Sequence, residues 1–302
     1  MIFGGNRRMF EDAIKGFKRE LARAILRPLF SFHFIRRRAL AMLNQHFTAG
    51  NLVLHYALPD HTLYLDPADD VIAARVLLRG DWQRRDLRRA VSLLKTHVPS
   101  SEGRVFVDVG ANIGTETVYA MLSGHFSSAV SIEPEPGNFA LLQKNIAAND
   151  LSARVRAVNC AAGARPETSL LVRSASNKGG HAIAAAMGMT GAGDRIAVDV
   201  LPLSAILASA GFAARDAGLV WIDVNGTEAA VLEGMTALLE QGVPVVLEHL
   251  PGFITPEAAR NIHQLLAAHY KFCCRVDDVD HDPVPLDRMD PLRDTGDFLF
   301  FR

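Results

Sequence analysis

The chain has 302 residues, with 33 acidic and 32 basic side chains and a formal net charge of −1 at pH 7. Its length predicts one large domain with an extension, or at most two domains, and allows a sizeable core. We expect a reduced, cytoplasmic protein rather than a disulfide-bonded or membrane-spanning one. The three cysteines form no CxxC pair. No run approaches the ~20 apolar residues that span a bilayer, and no signal-peptide pattern is present.

Residues 1–50 form a basic extension. The first 40 residues carry ten basic and three acidic side chains, so their local charge is +7 and the rest of the chain carries −8. An amphipathic helix is predicted as far as Pro28, because several apolar side chains fall on one helical face: Phe10, Ile14, Phe17, Leu21 and Ile25. Two interpretations remain open. Residues 7–38 contact an anionic membrane surface at its inner face, or the helix packs on its own domain or in a homo-oligomer.

Residues 51–100 are expected to lead into the main domain, with short strands between 52 and 65 and a helix over 82–97. Residues 101–302 then alternate between strands and helices, which predicts a parallel sheet with right-handed crossovers. Segments 168–173 and 195–200 predict a hairpin or edge pair, and the Gly-, Ala- and Ser-rich segment 174–194 between them is a candidate mobile lid. The predicted strands are 104–109, 128–133, 154–159, 218–223, 243–248, 271–276 and 296–302, and the predicted helices are 113–123, 136–149, 227–240 and 255–269.

A glycine loop follows the first strand of this domain, in the pattern Asp108-x-Gly110-x-Asn112-x-Gly114. The dinucleotide fingerprint requires glycines at the first, third and sixth positions, and two of the three are missing here, which disfavours an oxidoreductase. Glu133 ends the next strand, 25 residues after Asp108, where an acid suits the hydroxyls of a ribose. Residues 105–135 contain no Lys or Arg. The pattern therefore favours a ligand with a ribose and without phosphate.

Three blocks of the sequence resemble the FkbM-type S-adenosylmethionine (SAM)-dependent methyltransferases, within the class I group. The blocks are 107–114, 132–138 with 141–145, and 222–228 with 231–234; the stretch 63–82 is similar to the family's lead-in. The resemblance implies an α/β, Rossmann-like fold. Its mostly parallel sheet would have seven strands, helices on both faces and an antiparallel last strand.

The resemblance also implies roles for individual residues. Five residues of the glycine loop would surround the methionine part of SAM: Asp108, Gly110, Ala111, Asn112 and Gly114. Glu133 would hold the ribose hydroxyls, and Ala161 and Ala162 would lie along the adenine. Asp223, at the end of a later strand, would lie beside the cofactor as well.

Methyl transfer to a hydroxyl requires in-line placement and a group that accepts the hydroxyl proton. Asp223 is the first candidate, with Glu228 and Glu248 in support, and His249 or His181 could act as the base instead. These acids could also hold a divalent metal ion, with Asp223 and Glu248 as the candidate ligands. The alternative is that they only cap helices and contact solvent.

The third block departs from the family, because Trp221 and Asn225 stand where relatives commonly have Lys and Glu. Two hypotheses follow. The first is an O-methyltransferase acting on a small-molecule or glycan hydroxyl, in a glycan, a glycolipid or a secondary metabolite. The second is a non-catalytic SAM-binding or scaffold protein of a membrane-associated assembly. We expect no nucleic-acid partner.

Overall fold

A computed structural model describes residues 53–174, 177–184, 194–278 and 282–302. The predicted amphipathic helix of the basic extension lies outside these residues. Within the described ranges, no helix is both long and apolar enough to cross a membrane.

The lead-in consists of a hairpin followed by two helices. Strands β1 (Leu54–Ala57) and β2 (Thr62–Leu65) pair antiparallel and are followed by α1 (Ile72–Arg79) and α2 (Arg84–His97). Helix α1 was not predicted. It has only eight residues and ends at Gly80, which adopts a left-handed φ of 91°, so its amphipathic pattern is too short to stand out from the sequence.

The main sheet is built from eight strands. In chain order they are β3 (Val105–Val109), β4 (Ser128–Ile132), β5 (Val155–Val158), β10 (Ala217–Ile222), β11 (Val245–His249), β12 (Phe272–Arg275), β13 (Val284–Pro285) and β14 (Gly296–Phe301). The four strands β6 (Ala161–Ala162), β7 (Glu167–Val172), β8 (Ala182–Ile183) and β9 (Arg195–Leu201) form a separate sheet. The remaining helices are α3 (Thr115–Leu122), α4 (Pro136–Ala148), α5 (Leu203–Ser209), α6 (Glu228–Glu233), α7 (Thr236–Glu240) and α8 (Pro256–Ala267).

The strand order of the main sheet is β13-β12-β14-β11-β10-β3-β4-β5. Strands β5, β4, β3, β10 and β11 run parallel, and β14 pairs antiparallel with both β11 and β12. This confirms the class I fold and the antiparallel last strand. The predicted count of seven strands differs by one, because the two-residue strand β13 extends the edge at β12.

The smaller sheet has the order β6-β9-β7-β8, and its central pair β7 and β9 runs antiparallel. The two predicted strands therefore pair with each other, but at the centre of a separate sheet and not at an edge. Strand β8 lies within the segment predicted as a lid and pairs with the end of β7.

Two apolar layers enclose the main sheet. Every residue of β3 and β10 is buried, as expected for a parallel strand covered on both faces. Val107, Val220 and Ile222 belong to the layer that includes α8, whereas Phe106 and Trp221 belong to the layer that includes α2 and α3. The carboxyl ends of these strands meet at one edge of the sheet, where the glycine loop begins.

The predicted helix over 227–240 is two short helices, α6 and α7, with Gly234 between them. A Cβ on Gly234 would lie 2.0 Å from the carbonyl oxygen of Gly163. The chain therefore passes close to the backbone after β6 at this point. The sequence contains the glycine, but the contact that requires it is long-range.

Candidate functional site

The glycine loop joins β3 to α3 through three left-handed residues, Gly110 (φ 89°), Asn112 (φ 49°) and Gly114 (φ 84°). A Cβ on Gly110 would lie 1.9 Å from the carbonyl oxygen of Asp223, and one on Gly114 would lie 2.5 Å from Leu142 Cδ1. The two glycines thus let the loop contact the end of β10 on one side and α4 on the other. Between them, Ala111 is buried.

Asp108 is buried at the end of β3, where Thr117 Oγ1 donates a 2.5 Å hydrogen bond to its Oδ2. Burial raises the pKa of Asp108, and the nearby Asp223 raises it further. Glu116, on α3, is also buried, and its Oε1 has no hydrogen-bond partner. Burial raises the pKa of Glu116 well above its ordinary value, with Asp108 adding to the shift.

Glu133 follows β4 and faces the glycine loop. Its Oε2 accepts from the backbone N–H of Asn112 at 2.9 Å, and its Oε1 accepts from that of Glu135 at 2.8 Å. Because each carboxylate oxygen has two lone pairs, both oxygens keep one acceptor site. Burial raises the pKa of Glu133 to about 8 despite these two hydrogen bonds.

A small cavity of about 60 Å³ lies against the loop and the acid. Gly110, Asn112 and Glu133 line it together with residues from the predicted adenine position, Ala161 and Ala162. The opposite wall is formed by residues from the predicted lid, namely Lys178, Gly179, His181, Ala182 and Ile183.

Three asparagine side chains hold residues 177–183, which we call the strap, across this cavity. The Nδ2 groups of Asn112 and Asn138 donate to the Lys178 carbonyl at 2.9 and 2.8 Å. Asn225 Nδ2 donates to the carbonyls of Gly179 and His181, both at 2.9 Å. A glutamate at position 225 would carry no donor, so the departure from the family gives the strap two hydrogen bonds. Trp221, the other departure, is fully buried in the core.

A larger cavity of about 300 Å³ lies on the other side of Asp223. Asp223, Val224, Asn225 and Gly179 line both cavities. The larger one is further lined by carboxylates and by side chains of the lead-in and of the segment after β11: Glu228, Glu248, Val71, Ile72, Trp82, Leu250, Phe253 and Ile254.

Asp223 and Glu248 form a carboxylate pair at the ends of β10 and β11. Burial raises the pKa of both, and the hydrogen bond between them raises the pKa of Glu248 while it lowers that of Asp223. The directions of these two effects make Glu248 the donor in this hydrogen bond and Asp223 the acceptor, while burial raises the pKa of both. Gln83, at the start of α2, hydrogen-bonds to Asp223 and reaches Asp297 Oδ2 at 3.4 Å.

Asp223 and Glu248, the candidate metal ligands, thus lie together. However, in the described ranges no group of three or more His, Cys, Asp or Glu side chains is placed to hold a metal ion.

The two candidate histidines present different nitrogens. The backbone N–H of Ser174 donates to His181 Nδ1 at 2.9 Å, so Nε2 carries the proton of the neutral ring. In His249 the hydrogen bond is from Nε2 to the Pro291 carbonyl at 2.9 Å, so Nδ1 keeps its lone pair. Burial lowers the pKa of both rings. The remaining nitrogen of His181, Nε2, is therefore a hydrogen-bond donor, and the remaining nitrogen of His249, Nδ1, is an acceptor.

Sequence reasoning missed several residues that the structure adds to the site. Glu116 is in the first turn of α3, Asn138 is in the first turn of α4, and Gln83 and Asp297 come from the lead-in and from β14. An acid on the buried side of α3 was a visible signal for Glu116. No sequence signal places Gln83 or Asp297, because their contacts span more than 70 residues of chain.

Comparison with known protein families identifies the family of the chain. The sequence profile of the family described as "Methyltransferase FkbM domain" matches residues 108–272, more than half of the chain. A comparison with curated proteins gave no match.

Solved structures that resemble the chain include the methyltransferase FkbM from Methylobacillus flagellatus, with 16% identity over 66% of this chain and 44% of that one and a TM-score of 0.43. The chain thus spans less than half the length of that relative. The O-methyltransferase from Bacillus cereus in complex with SAH has 13% identity over 70% of this chain and 79% of that one, with a TM-score of 0.37. TYW2 from M. jannaschii in complex with AdoMet has 13% identity over 85% and 89%, with a TM-score of 0.43. On the family match, the chain belongs to the FkbM methyltransferase family.

Proposed function

We propose that the protein is a SAM-dependent O-methyltransferase whose acceptor hydroxyl binds in the larger cavity. The observation that carries this proposal is the position of Asp223, which lines both the cavity at the glycine loop and the larger cavity. A carboxylate at this boundary would lie beside a hydroxyl bound in the larger cavity and could accept its proton.

The residues around the smaller cavity fit SAM. Glu133 has two acceptor sites left for ribose hydroxyls, and the small side chains of Ala161 and Ala162 leave space for a flat ring. The acids Asp108, Glu116 and Asp223 are buried, and a cation beside them would offset the cost of their ionisation. When bound, SAM supplies a methyl group on a positively charged sulfur.

The strap must move for this cofactor to enter. The smaller cavity is about 60 Å³, whereas ligand sites typically enclose roughly 300–1,000 Å³. The strap forms one wall and is held by side-chain hydrogen bonds from Asn112, Asn138 and Asn225. The strap is also held by the pairing of β8 with β7 and by the Lys178 N–H, which donates to Asp69 Oδ1 at 3.2 Å. Release of these contacts would enlarge the cavity without disturbing the main sheet.

Asp223 is the base that we propose. The hydrogen bond from Glu248 lowers the pKa of Asp223 and so opposes the effect of its burial, and we therefore assign to Asp223 the acceptance of the hydroxyl proton. His181 serves better as a donor to a bound ligand, because the lone pair of its Nδ1 is already used by Ser174. Glu228 and His249 line the larger cavity, and each carries a polar atom without a hydrogen-bond partner.

A labelled-methyl experiment tests the proposal. The intact protein is incubated with methyl-labelled SAM and an extract of the cells from which it comes, and label is followed in glycan, lipid and small-molecule fractions. Wild type should transfer label, and Asp223→Asn should lower the rate by about 10²–10⁴-fold, the usual contribution of a general base. Asp199→Asn, at an exposed acid of β9, is the matched control and should transfer normally.

The scaffold hypothesis predicts a different outcome. Its support is that Asn225 holds the strap closed where relatives commonly have an acid. If the protein binds SAM by calorimetry but transfers no label to any fraction, the proposal of catalysis is wrong and the SAM-binding scaffold replaces it.

A further inference from the structure

Acidic side chains line the larger cavity. Asp223, Glu228 and Glu248 line it, and among the described residues of its wall none is a lysine or an arginine. Lys178, which lines the smaller cavity, does not line the larger one. A ligand in this cavity therefore meets several carboxyl groups and no fixed cation from that wall.

Two polar atoms in the wall are buried and unpartnered. Glu228 is only 7% exposed; its Oε1 accepts from the backbone N–H of Gly226 at 3.0 Å, while its Oε2 has no hydrogen-bond partner. His249 is 1% exposed, and its Nδ1 also lacks a partner. An unpaired buried acceptor costs free energy that a bound donor would recover. His249 Nδ1 is an acceptor, and Glu228 Oε2 is an acceptor when Glu228 is ionised. Burial raises the pKa of Glu228 to about 7, and a bound cation would favour its ionised form, so a cationic hydrogen-bond donor fits both atoms.

Apolar side chains also line this cavity. Val71 and Ile72 come from the lead-in, and Leu250, Phe253 and Ile254 come from the segment after β11. Phe253 is 75% exposed, so its ring is accessible to a ligand. An occupant of the cavity would thus contact both carboxyl groups and apolar side chains.

We propose that the acceptor is an amphiphilic amino alcohol, such as an amino sugar with an apolar aglycone, whose protonated amine lies beside Glu228 and Glu248 and whose apolar part lies against Phe253. A protonated amine brings up to three donors and a positive charge, which matches unpaired acceptors and acids. A neutral sugar brings donors without charge, and an acidic sugar would be repelled. This inference rests on the proposed function, since it assigns the acceptor of that reaction.

Calorimetry with matched glycosides tests the inference on the intact protein. The probes are hexyl 2-amino-2-deoxyglucoside, its N-acetyl derivative and hexyl glucoside, all below micelle-forming concentrations at pH 6.5. The amine should bind at least ~10-fold more tightly than the two neutral glycosides. Glu228→Gln should remove most of that preference while keeping the shape of the side chain.

A second variant tests the apolar end without touching a buried acid. Phe253→Ala, at an exposed position, should remove the advantage of the hexyl over the methyl 2-amino-2-deoxyglucoside and leave the preference for the amine. The inference is overturned if the neutral glycosides bind as tightly as the amine. It is also overturned if folded Glu228→Gln, checked by its thermal melt, keeps the full preference.

SAM binding, measured separately, keeps the two proposals distinguishable. A protein that prefers the amine but does not bind SAM would retain the amino-sugar site and refute the methyltransferase proposal. A protein that binds SAM and methylates only neutral hydroxyl compounds would do the reverse.

Discussion

At the scale of single residues, two positions join the parts of the site. Asp223 lines both cavities and accepts a hydrogen bond from Glu248. A Cβ on Gly110 would lie only 1.9 Å from the backbone carbonyl oxygen of Asp223. Asn225, two residues later, donates to the strap through both hydrogens of its amide. The positions of the glycine loop, the proposed base Asp223 and the strap therefore depend on the short segment after β10.

Gly110→Ala tests the close approach of the loop to β10. The new Cβ would overlap the Asp223 carbonyl, so we expect SAM affinity to fall at least ~10-fold and stability to fall by about 2–4 kcal/mol. Gly124→Ala is the matched control, since Gly124 also has a positive φ of 69° but nothing within 4 Å of its Cβ position. It should cost only about 1–2 kcal/mol and leave SAM binding unchanged. Equal effects in urea unfolding and calorimetry would contradict the account.

Asn225→Asp tests how the strap is held. The new carboxylate cannot donate to the carbonyls of Gly179 and His181. Amide hydrogen exchange in 177–184 should therefore become about tenfold faster, which corresponds to a fall of ~1.4 kcal/mol in the free energy of opening. Asn261→Asp serves as control, because its amide makes only a 3.5 Å contact with Glu233. Unchanged exchange in the strap would mean that other contacts hold it.

At the scale of elements, the alternating pattern predicted the parallel strands and the helices between them because each is a long, regular apolar run. The structure differs from the predicted elements where a contact with a distant part of the chain determines the local structure. Helix 227–240 splits at Gly234 because the backbone of Gly163 lies there, and α1 and α5 are too short for periodicity to show. Likewise Asp108, Gly110 and Glu133 could be placed from local motifs, whereas Gln83 and Asp297 could not.

Gly234→Ala tests the break between α6 and α7. Its Cβ would lie 2.0 Å from the Gly163 carbonyl oxygen, so the two segments would have to separate. We expect a loss of about 2–4 kcal/mol in urea unfolding. Gly252→Ala, where nothing lies within 4 Å of the Cβ, should change stability by less than ~1 kcal/mol. A stable Gly234→Ala protein would show that this contact is not tight in solution.

At the scale of the whole molecule, the edge of the sheet concentrates buried acids. Burial raises the pKa of Glu133 to about 8, of Glu228 to about 7 and of Asp297 to about 8. The lead-in adds apolar walls through Ile72 and Trp82 and a hydrogen-bond donor through Gln83. The main sheet and the lead-in thus build the site jointly, at a cost in stability that a cationic ligand would reduce.

These raised pKa values predict how stability depends on pH. The buried acids of the folded protein keep protons that the same side chains release near pH 4 in the unfolded chain. Their contribution to the free energy of unfolding therefore falls as pH rises from about 5 to about 8. Urea unfolding of the ligand-free protein at pH 5.5, 7 and 8.5 should show a decrease on the order of a few kcal/mol. Glu133→Gln, which cannot ionise, should show a shallower decrease. Stability that rises over this range would refute the burial of ionisable acids at the site.

The central claim is that SAM binds between Glu133 and Asp223, with its methyl group at the boundary of the two cavities. A crystal structure of the protein with the reaction product, S-adenosylhomocysteine, tests it most directly. We expect the ribose hydroxyls within hydrogen-bond distance of the Glu133 carboxylate, the adenine along Ala161, and the sulfur facing the larger cavity beside Asp223. A ligand bound elsewhere, or a sulfur directed away from Asp223, would contradict the account.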